Sequence, residues 1–241
     1  ILTTAEEEDM SGALNIDKSW FNTNRLINID HVVDTEIIAG SCGGIGVDLK
    51  FPVEYTKKID NYKGYEIKIS GLRGGHSGED IHKGRANANV LLANLLNFLR
   101  EKINFLISDL KGGNFRLAIP REAHVIVALE EKDVETLKDI VKNFESEAKK
   151  IYEETAVDLK IEVSEENLAE NLLSKNTVDK IIDAVILSPN GISSMIGSLN
   201  VVESSCNLGE VYIKDGYVYL VTEIRATFEK NRDYIYNKIA L

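Results

Sequence analysis

Residues 65–100 read "YEIKISGLRGGHSGEDIHKGRANANVLLANLLNFLR", and this stretch decides the fold. Tyr65, Ile67 and Ile69 alternate with Glu66, Lys68 and Ser70, the period-two pattern of a half-buried strand. From Arg85 onward the period changes. Val90, Leu91, Ala93, Leu95 and Phe98 recur near one face of a helix. Between strand and helix lies a loop holding Gly71, Gly74, Gly75 and Gly78, with His76 among them. A packing histidine needs no such setting. Glycines let a backbone come close to another group, and an imidazole brought close to a carbonyl can donate to a developing oxyanion. The plainer alternative is a polar turn residue ahead of a helix. The residues of the loop leave both open.

Working outward, "FRLAIP" (115–120) and "AHVIVALE" (123–130) predict two strands around Pro120. Residues 133–154 predict an amphipathic helix, with Val134, Leu137, Ile140, Val141 and Phe144 at helical spacing. "AVDLKIEVSEE" (156–166) predicts another strand. The order is βαββαβ, the split βαβ plan. Part of it recurs downstream. A helix over 176–191 is stopped by Pro189 and Gly191, a hairpin over 205–229 turns at Lys214-Asp215-Gly216, and a helix begins at 231.

Residues 1–46 have a different character. "ILTT" (1–4), "RLINID" (25–30) and "EIIAGSCGGIGV" (36–47) predict apolar strands, and a helix lies between the first two, with a capping-box spacing from Thr4 to Glu7. Apolar strands alternating with a helix imply a short parallel-sheet fragment. The fold class expected is therefore α/β followed by α+β, with a soft border at residues 46–55.

The chain has 241 residues and a net charge of -11. That balance argues against nucleic acid as a partner, since phosphate binding draws on clustered lysine and arginine. Two cysteines make no disulfide framework and favour a reducing compartment. Both are expected to be small buried side chains. No apolar run approaches the roughly 20 residues that span a bilayer. The opening apolar run reads like a piece of something longer.

Several side chains are candidates for chemistry. Glu6, Glu7 and Glu8 follow the first expected strand, and Asp30 ends the second. First-turn acids favour a helix dipole. However, ligands of open parallel sheets bind beyond the carboxyl ends of strands. Carboxylates gathered there can hold a divalent metal or deprotonate a metal-bound water. Tyr217, Tyr219, Val221, Glu223 and Arg225 share one strand face. Arg225 either lies on a solvated face or grips a substrate carboxylate with its fork. Asn207, in the facing strand, can add an amide. His82 is expected to be solvated near the helix start, and Arg121 to be structural. His31 and His124 have no distinguishing context.

Taken together, "TTAEEEDMSGA", "LINID", "GSCGG", "GLRGGHSGEDIHKGRANAN", "GGNFRLAIPREA" and "SCNLG" followed by "EIRA" resemble the aminoacyl-histidine dipeptidases. These are cytosolic metallopeptidases related to carnosinases and carboxypeptidase G. The resemblance runs over nearly the whole chain and is most specific in the Gly-His-Ser block. It implies two zinc ions or similar divalent metals activating a bridging water. By position, it implies Glu6 as general base, Glu7 as a metal ligand and Asp30 as a ligand of the other metal. His76 is the implied stabiliser of the tetrahedral intermediate, often in a neighbouring subunit's site. Arg225 and Asn207 are the implied substrate-binding residues. The family's α+β lid is inserted into its zinc-binding domain. Residues 1–46 thus correspond to part of a catalytic domain and 47–241 to a lid and dimerisation domain lacking its last strand. Further metal ligands are expected before residue 1 and after residue 241, so this stretch alone is expected to lack a complete metal site. Asp9, His31–Asp34 and Leu117 depart from the family pattern.

The expected function is that of a metal-dependent dipeptidase of the Xaa-His type, cytoplasmic, acting on short peptides, with a second copy of the chain as a candidate partner in the manner of the family. A tripeptidase or acyl-amino-acid amidohydrolase of the same superfamily is the alternative within enzymes. A non-catalytic α+β binding or dimerisation module is the alternative outside them.

Overall fold

The computed structural model describes residues 2–6, 10–29, 34–38 and 40–240. They fall into two compact units that divide between Gly40 and Ser41. The first unit carries one short helix, α1 (Ser11–Leu14), and a 3-10 turn at Lys18–Trp20 whose start Asp17 caps through Ser19 N–H. The helix begins later than the Thr4-to-Glu7 spacing predicts. Met10, in the left-handed region at φ 57°, is its N-cap, and Met10 N–H donates to Ala5 O (2.7 Å). Glu7 lies outside the described residues.

The parallel strands expected at 1–4 and 25–30 are not present among the described residues of this unit. Leu26, Ile27 and Ile29 are 77%, 88% and 88% exposed. A buried parallel strand needs neighbours for its N–H and C=O groups and cover on both faces. Apolar composition alone supplies neither.

The second unit contains β1 (Gly43–Pro52), β2 (Tyr55–Lys57), β3 (Tyr62–Ser70), β4 (Gly75–His76), α2 (Ala88–Arg100), β5 (Phe105–Gly112), β6 (Ala118–Ile119), β7 (Ala123–Glu130) and α3 (Val134–Ile151). It continues with β8 (Lys160–Glu166), β9 (Asn171–Leu173), α4 (Lys175–Leu187), β10 (Gly191–Ile196), β11 (Val201–Lys214), β12 (Tyr217–Ala226) and α5 (Glu229–Ala240). The main sheet runs β1-β12-β11-β5-β7-β3-β8. Every neighbouring pair along it is antiparallel. The mixed α and β class therefore holds.

The quartet β5-β7-β3-β8, with α2 and α3, is the split βαβ plan. Its second strand is β5, not the expected "FRLAIP". Phe105, Leu106 and Ile107 are all buried, and a bulge against β7 falls between Ile107 and Asp109. A bulge breaks the alternation by which a strand is read. "FRLAIP" contributes only the two residues of β6, which pair with β4.

Helix α2 buries Leu91, Leu92, Leu95, Leu96 and Leu99. Phe98, expected on that face, is 49% exposed and meets Phe144 of α3 with ring centroids 6.0 Å apart. The Asn87 side chain caps the helix, accepting from Asn89 N–H (3.0 Å) and Val90 N–H (3.3 Å). Its amide also donates to Leu208 O (3.0 Å), which fastens α2 to β11.

Strands β11 and β12 turn through Asp215 (φ 50°) and Gly216 (φ 78°), the two left-handed residues that suit a tight hairpin. The third expected strand of the first segment emerges as β1. It pairs antiparallel with the outer edge of β12 for ten residues, from Gly43 opposite Ala226 to Pro52 opposite Tyr217. The inner face of these strands buries Cys206 and Ile224 against Ile235 and Ile239 of α5. Cys42, expected to be buried, is exposed. No helix among the described residues is long and apolar enough to cross a membrane.

Candidate functional site

The site forms on the outer face of β11, β12 and β1, where the glycine loop meets it. Gly74 (φ 62°) and Gly75 (φ 136°) turn the loop through conformations that side chains disfavour. At Gly75 an added Cβ would also lie 2.0 Å from Arg85 Nη1 and 2.3 Å from Asp80 Oδ2. Those two groups hold the loop closed. Asp80 accepts from His76 N–H (2.9 Å) and pairs with Arg85 (2.9 Å) and Lys83 (2.7 Å), while Arg85 Nη1 donates to Gly74 O (2.5 Å). The hydrogen bond from Lys83 foremost, with His76 N–H and Arg85, keeps the Asp80 carboxyl below its ordinary pKa against the opposing effect of burial.

Within this frame His76 Nδ1 accepts from Gly78 N–H (3.3 Å) and Glu79 N–H (3.2 Å). A neutral imidazole whose Nδ1 accepts carries its proton on Nε2. The ring therefore presents an Nε2–H donor to its surroundings. β4 is laid against β6, with His76 opposite Ala118.

The facing strands set out a grid. Asn207, Glu223 and Gly46 lie opposite one another in one row, and Ser205, Arg225 and Gly44 in the next. The two glycines leave the β1 column open. An added Cβ at Gly46 would lie 2.8 Å from Arg116 Nη1, and one at Gly44 would lie 2.8 Å from Glu223 Oε1. Arg116 fills the first space and is fully engaged there, donating to Thr222 O (2.8 Å) and pairing with Asp48 (2.6 Å). The Glu223 carboxylate leans over the second, beside Arg225.

Gly78 joins loop to grid. An added Cβ there would lie 3.2 Å from Arg225 Nε and 3.2 Å from His76 Cε1. Asn207 is 1% exposed, and its Nδ2 donates to Arg116 O (3.1 Å) and Ala118 O (2.9 Å). Three buried polar atoms of the loop and these strands have no hydrogen-bond partner among the described residues: Asn207 Oδ1, Arg225 Nε and Ser77 Oγ. Unsatisfied buried polar atoms are costly and rare, so these three mark the loop and the grid as a candidate ligand site. Asn207 also lines a neighbouring cavity of about 300 Å³ bounded by His82, Arg85, Tyr152 and Asn190. Burial pushes the Glu223 carboxyl above its ordinary pKa, while Arg225 and Arg116 pull the other way.

Of the six candidate site residues, the structure brings His76, Asn207 and Arg225 together. Glu6 is an exposed turn residue of the first unit. Glu7 and Asp30 lie outside the described residues, as does His31. Among the described residues no group of three or more His, Cys, Asp or Glu side chains is placed to hold a metal ion. Arg121 is structural, its Nε donating to Leu72 O (3.1 Å). His124 pairs with Glu66 (2.8 Å) on the other end of the sheet.

Gly78, Asp80, Arg85, Arg116 and Glu223 belong to the site but are not singled out by spacing in the sequence. Only the position of Glu223, two residues before Arg225 on one strand face, offers a signal. Arg116 comes from a segment that reads as a strand and is mostly loop.

Residues 67–156 match the peptidase dimerisation domain family. Over 98% of its length the chain is 31% identical to a cytosol non-specific dipeptidase of Escherichia coli (strain K12), of which it covers 49%. It superposes on the crystal structure of an aminoacylhistidine dipeptidase from Vibrio alginolyticus with a TM-score of 0.86 and 28% identity, covering 99% of this chain and 49% of that one. The chain thus spans about half the length of these relatives. It is similar, over nearly all its residues, to one half of a dipeptidase, and it contains a match to a peptidase dimerisation domain at 67–156.

Proposed function

We propose that the complete protein carrying this chain is a metal-dependent dipeptidase that hydrolyses short peptides, those of the Xaa-His type among them. The observation that carries the reading is the approach of His76 to Arg225 at Gly78, with Asn207 hydrogen-bonded to Ala118 opposite His76 and with Arg225 Nε and Asn207 Oδ1 both unpaired among the described residues. The similarity to dipeptidases over almost the whole chain supports it.

Each residue then has a task. The Arg225 guanidinium binds the carboxylate that ends a short peptide, a group its fork geometry fits. Asn207 Oδ1 accepts an N–H from the peptide. The His76 Nε2–H donates to the scissile carbonyl oxygen as it gains negative charge, a contact stronger in the transition state than in the ground state. Glu6 takes a proton from the attacking water and delivers it to the departing amine as the C–N bond breaks. Glu7 and Asp30 would hold part of a divalent metal pair, zinc in this proposal, which would supply Lewis acidity when bound. Residues 1–46 act as part of the catalytic domain and 47–241 as the lid.

The protein works in the cytoplasm as a homodimer in this reading, in line with the matched dimerisation domain and the cytosolic relative. The test is hydrolysis of a panel of dipeptides, tripeptides and acyl amino acids by the complete protein, wild type and Glu6→Ala. The expected result is turnover of dipeptides that Glu6→Ala abolishes while bound metal is retained. Undiminished turnover in Glu6→Ala removes the base assignment. A second reading, a dimerisation module without turnover, is favoured by the family match at 67–156, and it predicts that no member of the panel is cleaved.

A further inference from the structure

Arg225 and Glu223 are the two charged groups of the grid that no ion pair with a described residue neutralises. Arg116, the third, is committed to Asp48 (2.6 Å), and Asp80 is committed to Lys83 and Arg85. Glu223 and Arg225 are two residues apart on one strand, so their side chains leave the same face roughly 7 Å apart. Glu223 lies directly opposite Asn207 on one side and Gly46 on the other. Its carboxylate occupies the space that Gly44 leaves free, next to Arg225. The grid therefore offers a cation and an anion side by side, with Asn207 opposite the anion and solvent access still open to the half-buried Glu223. Burial makes this carboxylate costly, Arg225 and Arg116 offset that cost only in part, and a further cation adds to the compensation.

We infer that Glu223 is a specificity residue that selects dipeptides whose C-terminal residue is lysine or arginine. With the terminal carboxylate on Arg225, the side chain of that same residue extends along the strand face to Glu223. Its ammonium or guanidinium then meets the half-buried carboxylate in a charge-assisted contact. An uncharged side chain of equal length leaves the carboxylate unpaired, which is the larger part of the discrimination. The inference rests on the proposed dipeptidase activity and on Arg225 as carboxylate binder.

The experiment compares Ala-Lys with Ala-norleucine, which has the same side-chain length without the amine, on the complete protein. Wild type is expected to favour Ala-Lys by about tenfold in kcat/KM, and Glu223→Gln to bring the ratio of the two dipeptides within about twofold. Circular dichroism establishes that the variant is folded. Should Glu223→Gln fail to fold, inhibition of the wild type by free lysine and free norleucine decides: lysine is expected to bind about tenfold more tightly. Equal use of the two dipeptides by wild type, equal inhibition by the two amino acids, or a ratio unchanged in Glu223→Gln overturns the inference and leaves the dipeptidase reading standing. Absence of hydrolysis of every dipeptide overturns both.

Discussion

At Gly78 the absence of a side chain has a direct consequence. The space a methyl group would take lies 3.2 Å from both Arg225 Nε and His76 Cε1. Those contacts are tighter than ordinary van der Waals packing, so Gly78→Ala pushes the imidazole and guanidinium apart by tenths of an ångström. The fold has little reason to change, because Gly78 has no left-handed φ and an alanine fits its backbone. Small displacements of positioning groups are expensive in rate. Gly78→Ala is expected to lower kcat/KM by about 10- to 100-fold, with the thermal unfolding midpoint nearly unchanged. A variant with full activity would mean that His76 and Arg225 do not act on one substrate. His76 itself was legible in the sequence because glycines on both sides set it apart. Gly78 was visible only as one glycine among four, since its importance comes from β12, more than a hundred residues away. Arg116 was hidden for the same reason: its value lies in reaching Thr222 and Asp48 across strands.

At the scale of elements, Glu203 ties three of them together. It is 5% exposed and lies on β11. It accepts from Ser194 of β10, from Phe228 N–H (3.1 Å) ahead of α5, and from Asn231 Nδ2 (2.7 Å) within α5. Burial pushes this carboxyl up, but the donors, Ser194 foremost, then Asn231, Ser204 and Phe228, outweigh it and hold the pKa at about 2 against the ordinary 4.5. A carboxyl depressed on folding contributes stability that is complete above its unfolded pKa. That contribution disappears as the pH falls through the folded value. Glu203→Gln is therefore expected to lower unfolding stability by about 2 kcal/mol at neutral pH. In urea titrations the gap from wild type should close between pH 4.5 and about 2. A gap that stays constant over that range contradicts the assignment. The elements themselves were unevenly legible. α3 and the β11–β12 hairpin follow from period and turn residues. β5 did not, because its bulge interrupts the alternation. The apolar pattern of residues 36–47 suits a parallel strand, yet β1 is antiparallel, a matter of partners that no local pattern records.

At the scale of the whole molecule, one antiparallel sheet carries both the split βαβ plan and the strands of the grid. The βαββαβ plan builds one half of that sheet, and the β11–β12 hairpin with β1 builds the half that bears the grid. The loop between β3 and α2 bridges the two and delivers His76 to Arg225. Long-range antiparallel pairing thus builds, with residues 76, 207 and 225, the face proposed to bind substrate. The decisive measurement is the steady-state kinetics of the complete protein on a dipeptide, wild type against His76→Ala. The account predicts a fall in kcat of about 100-fold or more with KM little altered, since the Nε2–H contact strengthens only as the carbonyl oxygen becomes charged. Unchanged kcat in His76→Ala, in a protein that cleaves dipeptides, would contradict it.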